Sequence, residues 1–264
     1  MDLRNLFERG TVHMSDLMDH IVASATGGDS KKTFEEVMEM YSKMGYRQFE
    51  LYTKGRGSAL DISKGTDYYR EIAKKYGMKY SSLHLNPVEA DMGETLDYAV
   101  KCALFGEAIG INIVVFNTTL KGHYVEALRR FMKAVEGHNI TPVIQIHEGR
   151  SIQTLEDVVE ILDELKDPRV KVLHEVGSYH AIGVSWKKVC DTFGKRIALV
   201  HVKDMIGEEN VPYGKGEVDI PALFAEMRKL GYNGDYVVEL ATKDRENTSR
   251  YIADAWQYIK NNCQ

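Results

Sequence analysis

The chain has 264 residues, 44% of them hydrophobic, and a net charge of −5. That is enough for a large core and offers no bulk basic surface for nucleic acid. Its three cysteines, Cys102, Cys190 and Cys263, are widely spaced without a C-x-x-C pair, so neither a disulfide scaffold nor a structural zinc cluster is expected and a reducing, cytoplasmic setting is. No signal-peptide pattern and no apolar run near the ~20 residues of a membrane span is present, which predicts a protein that stays off the membrane.

From residue 21 on, one arrangement recurs: a β-rich strand, a polar loop, an amphipathic helix, a breaker. About 1–20 reads as an extension before a first strand at 21–24. A capping box of Thr33 and Glu36 opens a helix over 33–44 that Gly45 ends, before a strand at 46–51. Further helix–strand steps follow at 66–76 and 78–84, 91–109 and 111–116, and 124–136 and 141–147. They continue at 154–165 and 170–175, then 185–192 and 196–202. Pro221 sits in the first turn of a helix over 220–230, where a missing N–H costs nothing, ahead of a strand at 235–240 and a last helix over about 246–260. Eight strands alternating with eight helices predict an α/β fold, a single (β/α)8 barrel over 1–264. No G-x-G-x-x-G follows the first strand, which disfavours a doubly wound sheet.

In such a barrel, chemistry gathers at the C-terminal strand ends. Those ends carry Glu50, His84, Asn117, Gln145 with His147, Glu175, His201 with Lys203, and Glu239. Strand alternation puts His201 and Lys203 on one face and Asp204 on the other, where it braces the following loop. His174 should face the helices as a structural residue. Imidazole and carboxylates converging on one rim suit a divalent cation or an acid–base pair, and both point to an enzyme.

The runs His201-Val-Lys-Asp204, Gly214-Lys-Gly-Glu-Val-Asp219-Ile and Gly231-Tyr-Asn-Gly-Asp-Tyr-Val-Val-Glu239 resemble the C-terminal signature of the xylose-isomerase-like sugar isomerase/epimerase barrels. Val172-Leu-His-Glu175-Val-Gly177 and Ile144-Gln145-Ile-His147-Glu-Gly149 resemble that family's sixth and fifth strand ends. The resemblance covers about the last 125 residues; the first half agrees in layout. It implies one divalent cation (manganese, magnesium or cobalt, with zinc also compatible) held by Gln145, Glu175, His201 and Glu239, and a small carbohydrate substrate. Three oxygen donors and one imidazole suit a fairly hard cation.

Two positions depart from the family pattern. Glu175 stands where aspartate is usual. Gln145 stands where a glutamate is usual that also serves as one of two acid–base groups, and glutamine cannot exchange a proton. His147 is the natural replacement, since imidazole exchanges protons near cellular pH. The expected activity is isomerisation or epimerisation of a sugar or keto-sugar through an enediolate, with Glu239 and His147 moving the proton and Lys203 supporting the ligand carboxylates. His84, Glu50, Asn117 and His180 are candidate substrate contacts. A metal-dependent lyase that expels a β-leaving group from a keto-sugar, keto-glycoside or keto-cyclitol is the nearest rival. A non-catalytic sugar-binding barrel or partner subunit is the third reading. A homo-oligomer is compatible with all three.

Overall fold

The computed structural model describes residues 14–24, 31–55 and 58–263; residues 1–13 of the expected extension lie outside these. A short helix α1 (Met14–Asp19) leads into β1 (Ile21–Ser24). Then come α2 (Phe34–Met44), β2 (Gln48–Tyr52), α3 (Gly65–Tyr76), β3 (Lys79–His84), α4 (Glu94–Ala108), β4 (Ile113–Phe116), α5 (Tyr124–Ala134) and β5 (Thr141–Ile144). The second half runs α6 (Leu155–Leu165), β6 (Lys171–Glu175), α7 (Val176–Ala181), α8 (Trp186–Phe193), β7 (Ile197–Val202), β8 (Asp204–Ile206), β9 (Glu209–Val211), α9 (Ile220–Lys229), β10 (Asp235–Val238) and α10 (Thr248–Asn262). All barrel pairs are parallel and the sheet closes in the order β1-β10-β7-β6-β5-β4-β3-β2, so the fold is a (β/α)8 barrel. Among the described residues no helix is long and apolar enough to cross a membrane.

The local grammar explains the elements. Thr33 accepts from the Glu36 amide while Glu36 reaches back to the Thr33 N–H, and Gly45 at φ 106° closes α2 in the left-handed conformation. Thr154 and Asp157 form a second capping box on α6. Asp219 caps α9 through the Ala222 N–H, as its place before Pro221 suggests.

Period two along the strands separates two cores. Residues such as Ile21, Val114, Val172, Val200 and Tyr236 face the helices in one large cluster. Val22, Val115, Val143, Leu173, Leu199 and Val237 form a second cluster, one residue per strand, inside the barrel. A bulge between β2 and β3 sets Ser81 and Ser82 opposite Glu50, and another lies between Val172 and Leu173 on β6 against β7.

The structure differs from expectation at four places. Strand β5 stops at Ile144 and β10 at Val238, so Gln145, His147 and Glu239 lie just beyond the strands. Glu50 lies mid-strand, not at an end. An antiparallel hairpin, β8–β9, follows β7. The segment carrying His180 is the helix α7, not a loop.

His174 faces the helices as expected, fully buried, with its ring edge-on to Tyr179 at 5.9 Å. Burial pushes its imidazole down from 6.5 to about 3. The unfolded chain therefore binds a proton there that the folded chain refuses, and stability is lost as pH falls from 6.5 towards 3. From 6.5 down to roughly 5.5 the ordinary carboxylates stay largely ionised, so in that window the slope from His174 grows towards about 1.4 kcal/mol per pH unit. Denaturant unfolding of His174→Phe across it should show that slope removed; an unchanged slope refutes the assignment.

Candidate active site

The site grows out of the interior layer by one step of strand alternation. Two residues beyond Val22, Val115, Val143, Leu173, Leu199 and Val237 stand Ser24, Asn117, Gln145, Glu175, His201 and Glu239. Side chains two apart share a face, so the residues above an apolar barrel core must point into its upper end. On β2 and β3 the polar step begins one layer lower, with Glu50 and Ser82, and Tyr52 and His84 stand above them. The Tyr52 and His84 rings stack at 4.3 Å.

At the centre, His201 is completely buried and bonded at both nitrogens. Its Nε2 lies 2.9 Å from Glu50 Oε1. Its Nδ1 lies 2.8 Å from Glu239 Oε2 and 3.0 Å from Glu175 Oε2. Burial disfavours the charged ring, but Glu50 and then Glu175 outweigh it and hold His201 well above its ordinary range. Burial likewise pushes the Glu50 carboxyl up, and the facing His201 and His84 reverse this and hold it well below the carboxylate range. For Glu175 and Glu239 burial is again overcome, first by Lys203, and both stay ionised. The Lys203 ammonium is 3.0 Å from Glu175 Oε1 and 3.0 Å from Glu239 Oε2. It shares the His201 face, as alternation requires.

Among the described residues two trios of ligand atoms lie within 4.8 Å of one another: Glu175, His201 and Glu239, and Glu50, His84 and His201. The second trio is an internal network. Glu50 is fully buried and already accepts from Ser24, Ser82 and Tyr52, with His84 Nε2 3.1 Å away, so its oxygens have no capacity left and do not reach the cavity. The first trio opens upward through Glu239. If His201 donates its Nε2–H to Glu50, its Nδ1 lone pair faces Glu175 and Glu239, the arrangement in which a carboxylate behind a histidine orients it towards a metal. Gln145 is buried beside them and donates Nε2 to Glu175 Oε2 at 2.8 Å; a half-turn of the carboxamide exchanges its nitrogen and oxygen. Charge also fits. Three carboxylates face one ammonium and one imidazole, so a divalent cation beside neutral His201 brings the sum to zero.

Above the trio lies a cavity of about 340 Å³ whose lining includes Tyr52, His84, Asn117, Gln145, His147 and Glu239, a volume in the range of small-molecule sites. His147 reaches it despite lying outside β5, because the chain leaving the strand curls over the rim and the His147 N–H bonds Ile152 O. Its Nδ1 is 2.7 Å from the Glu148 carbonyl, which can only accept, so Nδ1 carries the hydrogen and Nε2 the lone pair. His147 also borders a second cavity of about 430 Å³, lined in part by Lys203, Gly177 and Asn210.

Two candidates stand elsewhere. Glu50 serves as the buried partner of His201, and its expected contact with substrate is corrected for that reason. His180 pairs with Glu217 at 3.1 Å outside the cluster. Asp204 braces the loop, accepting from the amides of Gly214, Gly216 and Val218. A Cβ on Gly216 would sit 2.1 Å from Asp204 Oδ1, which explains the glycine there. Sequence reasoning passed over Ser24, Ser82 and Tyr52. The spacing Glu50-Leu51-Tyr52 held the signal for Tyr52, whereas the serines carry none without the register.

Gly177 was also passed over as a site residue. A Cβ there would lie 2.6 Å from Lys203 Cδ and 3.2 Å from Met205 Sδ. Gly177→Ala should therefore force the Lys203 stem off its path and destabilise the fold by about 1–3 kcal/mol. Thermal unfolding of Gly177→Ala, Lys203→Ala and the double variant measures this: the double variant should lose less than the two single losses added together, and strictly additive losses would disconnect the two residues.

Residues 38–261 match the family described as xylose isomerase-like TIM barrel. An L-ribulose-5-phosphate 3-epimerase of Salmonella paratyphi C is 21% identical over 184 residues, 65% of each chain. An inosose dehydratase of Geobacillus thermodenitrificans is 28% identical over 162 residues, 53% of each. The chain thus spans about two-thirds or less of the length of these relatives. The crystal structure of the IOLI protein with a binding zinc atom superposes with a TM-score of 0.72 at 17% identity, covering 90% of this chain and 96% of that one. With the matched region taking in every barrel strand from β2 to β10, the chain belongs to the xylose isomerase-like TIM barrel family.

Proposed function

We propose that the protein is a divalent-metal-dependent isomerase or epimerase of a sugar or keto-sugar, working in the cytoplasm through an enediolate. The observation that carries this reading is the convergence of buried Glu175 and His201 with Glu239, which reaches the cavity, and with Glu50 bonded to the far nitrogen of His201. Gln145 would complete the metal ligands through its carbonyl oxygen. The zinc in the superposed IOLI structure supports a metal in this fold. A divalent metal held by Glu175, His201, Glu239 and Gln145 would supply Lewis acidity that makes the C–H beside a substrate carbonyl easier to deprotonate. Glu239, ionised and at the cavity floor, takes that proton. His147, once its Nε2 lone pair has taken a proton from solvent, returns that proton to the carbon from its own place on the cavity lining. Gln145 cannot take that part, because an amide neither accepts nor releases a proton at neutral pH. Lys203 limits the repulsion between Glu175 and Glu239 while they wait for substrate.

One observation favours the elimination reading: among the described residues the cavity lining holds one carboxylate, Glu239, so the pair of carboxylates that two-sided proton exchange would use is lacking. The inosose dehydratase relative supports it. Both readings are tested by incubating the chelated and the manganese-, magnesium-, cobalt- and zinc-reloaded protein with keto-sugars and keto-cyclitols in deuterium oxide. Deuterium in a recovered epimer marks the epimerase. A new ultraviolet-absorbing enone marks the lyase. Exchange that survives complete chelation rejects the metal-dependent reading.

A further inference from the structure

The barrel mouth is divided by charge. The carboxylates and His201 come from β6, β7 and β10, on one side of the closed sheet. The arc made by the four consecutive neighbours β2, β3, β4 and β5 contributes Lys54, Asn86, Asn117 and Arg150 to the same cavity. Among the described residues Glu239 is the only carboxylate in the cavity lining, and its charge is already met by Lys203 and His201. Neither Lys54 nor Arg150 forms an ion pair among the described residues, although the protein carries net charge −5. Asn86 adds to the donors: its Oδ1 is held by the Thr53 hydroxyl at 2.8 Å, which leaves its N–H2 for a ligand.

The geometry points to an anion subsite on this arc: Lys54 and Arg150, helped by the Asn86 amide, hold a phosphate or carboxylate group of the substrate at the end remote from Glu239. The subsite rests on the proposal that the substrate's reacting carbons lie over Glu239. Unpaired cations in a cavity raise the local concentration of anions. An arginine fork and a lysine are suited to a phosphoryl or carboxyl group. The arrangement also gives direction, since a sugar with one charged end enters in one orientation and brings its other end to the floor.

Two measurements separate this inference from the activity it builds on. Calorimetric titration with inorganic phosphate reads the subsite without turnover. The wild-type protein should bind it, and Arg150→Ala and Lys54→Ala should each weaken binding at least tenfold, with Arg150→Lys intermediate. Deuterium exchange on matched ketose, ketose phosphate and sugar-acid panels then reads the substrate class. The anionic members should have the higher kcat/KM, and the ratio of anionic to neutral kcat/KM should fall at least tenfold in each alanine variant. Preference within the anionic panel distinguishes phosphate from carboxylate. Phosphate binding that is undetectable, or equal in the wild type and both alanine variants, overturns the subsite whatever the enzyme does. Binding that follows the variants with no exchange on any sugar keeps the subsite and counts against the enzymatic reading.

Discussion

Glu239→Gln lowers proton exchange at the substrate carbon by about 10²–10⁴-fold, the usual contribution of a positioned acid–base group. Glutamine matches glutamate in shape and keeps a carbonyl oxygen for Lys203, so the fold and the Lys203 contact should survive. What disappears is the capacity to accept a proton. Glu239 is free to accept because, though burial raises its carboxyl, Lys203 and His201 keep it ionised, and its side chain retains 18% exposure; the same two partners lower its basicity, so the proton it takes must come from a C–H already acidified. The measurement is solvent deuterium uptake by the substrate at saturating metal, with manganese affinity followed separately by calorimetry. Metal affinity should fall much less than exchange, since a neutral oxygen ligand replaces an anionic one at the same place. Loss of both in equal proportion would make Glu239 a ligand and nothing more. Retained exchange would remove it from the reaction.

His147→Gln provides the complementary comparison. If His147 returns the proton, the variant should still wash deuterium into the starting sugar from the Glu239 side while forming no epimer. Loss of wash-in together with epimer formation would assign both transfers to one path through His147.

The barrel was legible because most of its strands and helices are locally marked by capping boxes, glycines past helix ends and β-rich runs that agree, whereas α7 has no side-chain cap to announce it. The upper ring of the site was legible for a related reason. Apolar-x-polar at a strand end puts the polar group above the core, and Gln145, Glu175, His201 and Glu239 all follow that rule. Glu50 was misjudged because its strand runs on to Tyr52, two residues past Glu50, and two residues is one full layer of the barrel. His147 was assigned to the cavity by an alternation that does not extend so far, since β5 ends at Ile144; a loop turn brings it there instead. The partners Ser24 and Ser82 depend on the register across β1, β2 and β3, including a bulge, and pairing register is a property of the assembled sheet.

Glu50→Gln tests the hidden half of the site. The carboxylate binds His201 Nε2 at 2.9 Å and lies 3.1 Å from His84 Nε2, and it is the foremost charge holding His201 above its ordinary range against burial. An amide of the same shape removes that charge and cannot accept at both former oxygens, so the His201 ring loses both its fixed tautomer and its fixed tilt. Metal affinity should fall by about 10–100-fold, the effect of removing the partner behind a ligating histidine, although Glu50 touches neither cavity. The pH dependence of stability should change with a definite sign. A raised histidine contributes stability that is fully present below the unfolded value of 6.5 and is lost as pH rises through the folded value. In metal-free Glu50→Gln that alkaline loss should shrink, because the folded value moves back towards 6.5. Histidine proton resonances followed against pH, with manganese titration calorimetry on the same samples, read both effects. If affinity and the His201 titration both stay at wild-type values, the ring is oriented by Glu175 and Glu239 alone, and Glu50 is only a filled position in the barrel floor.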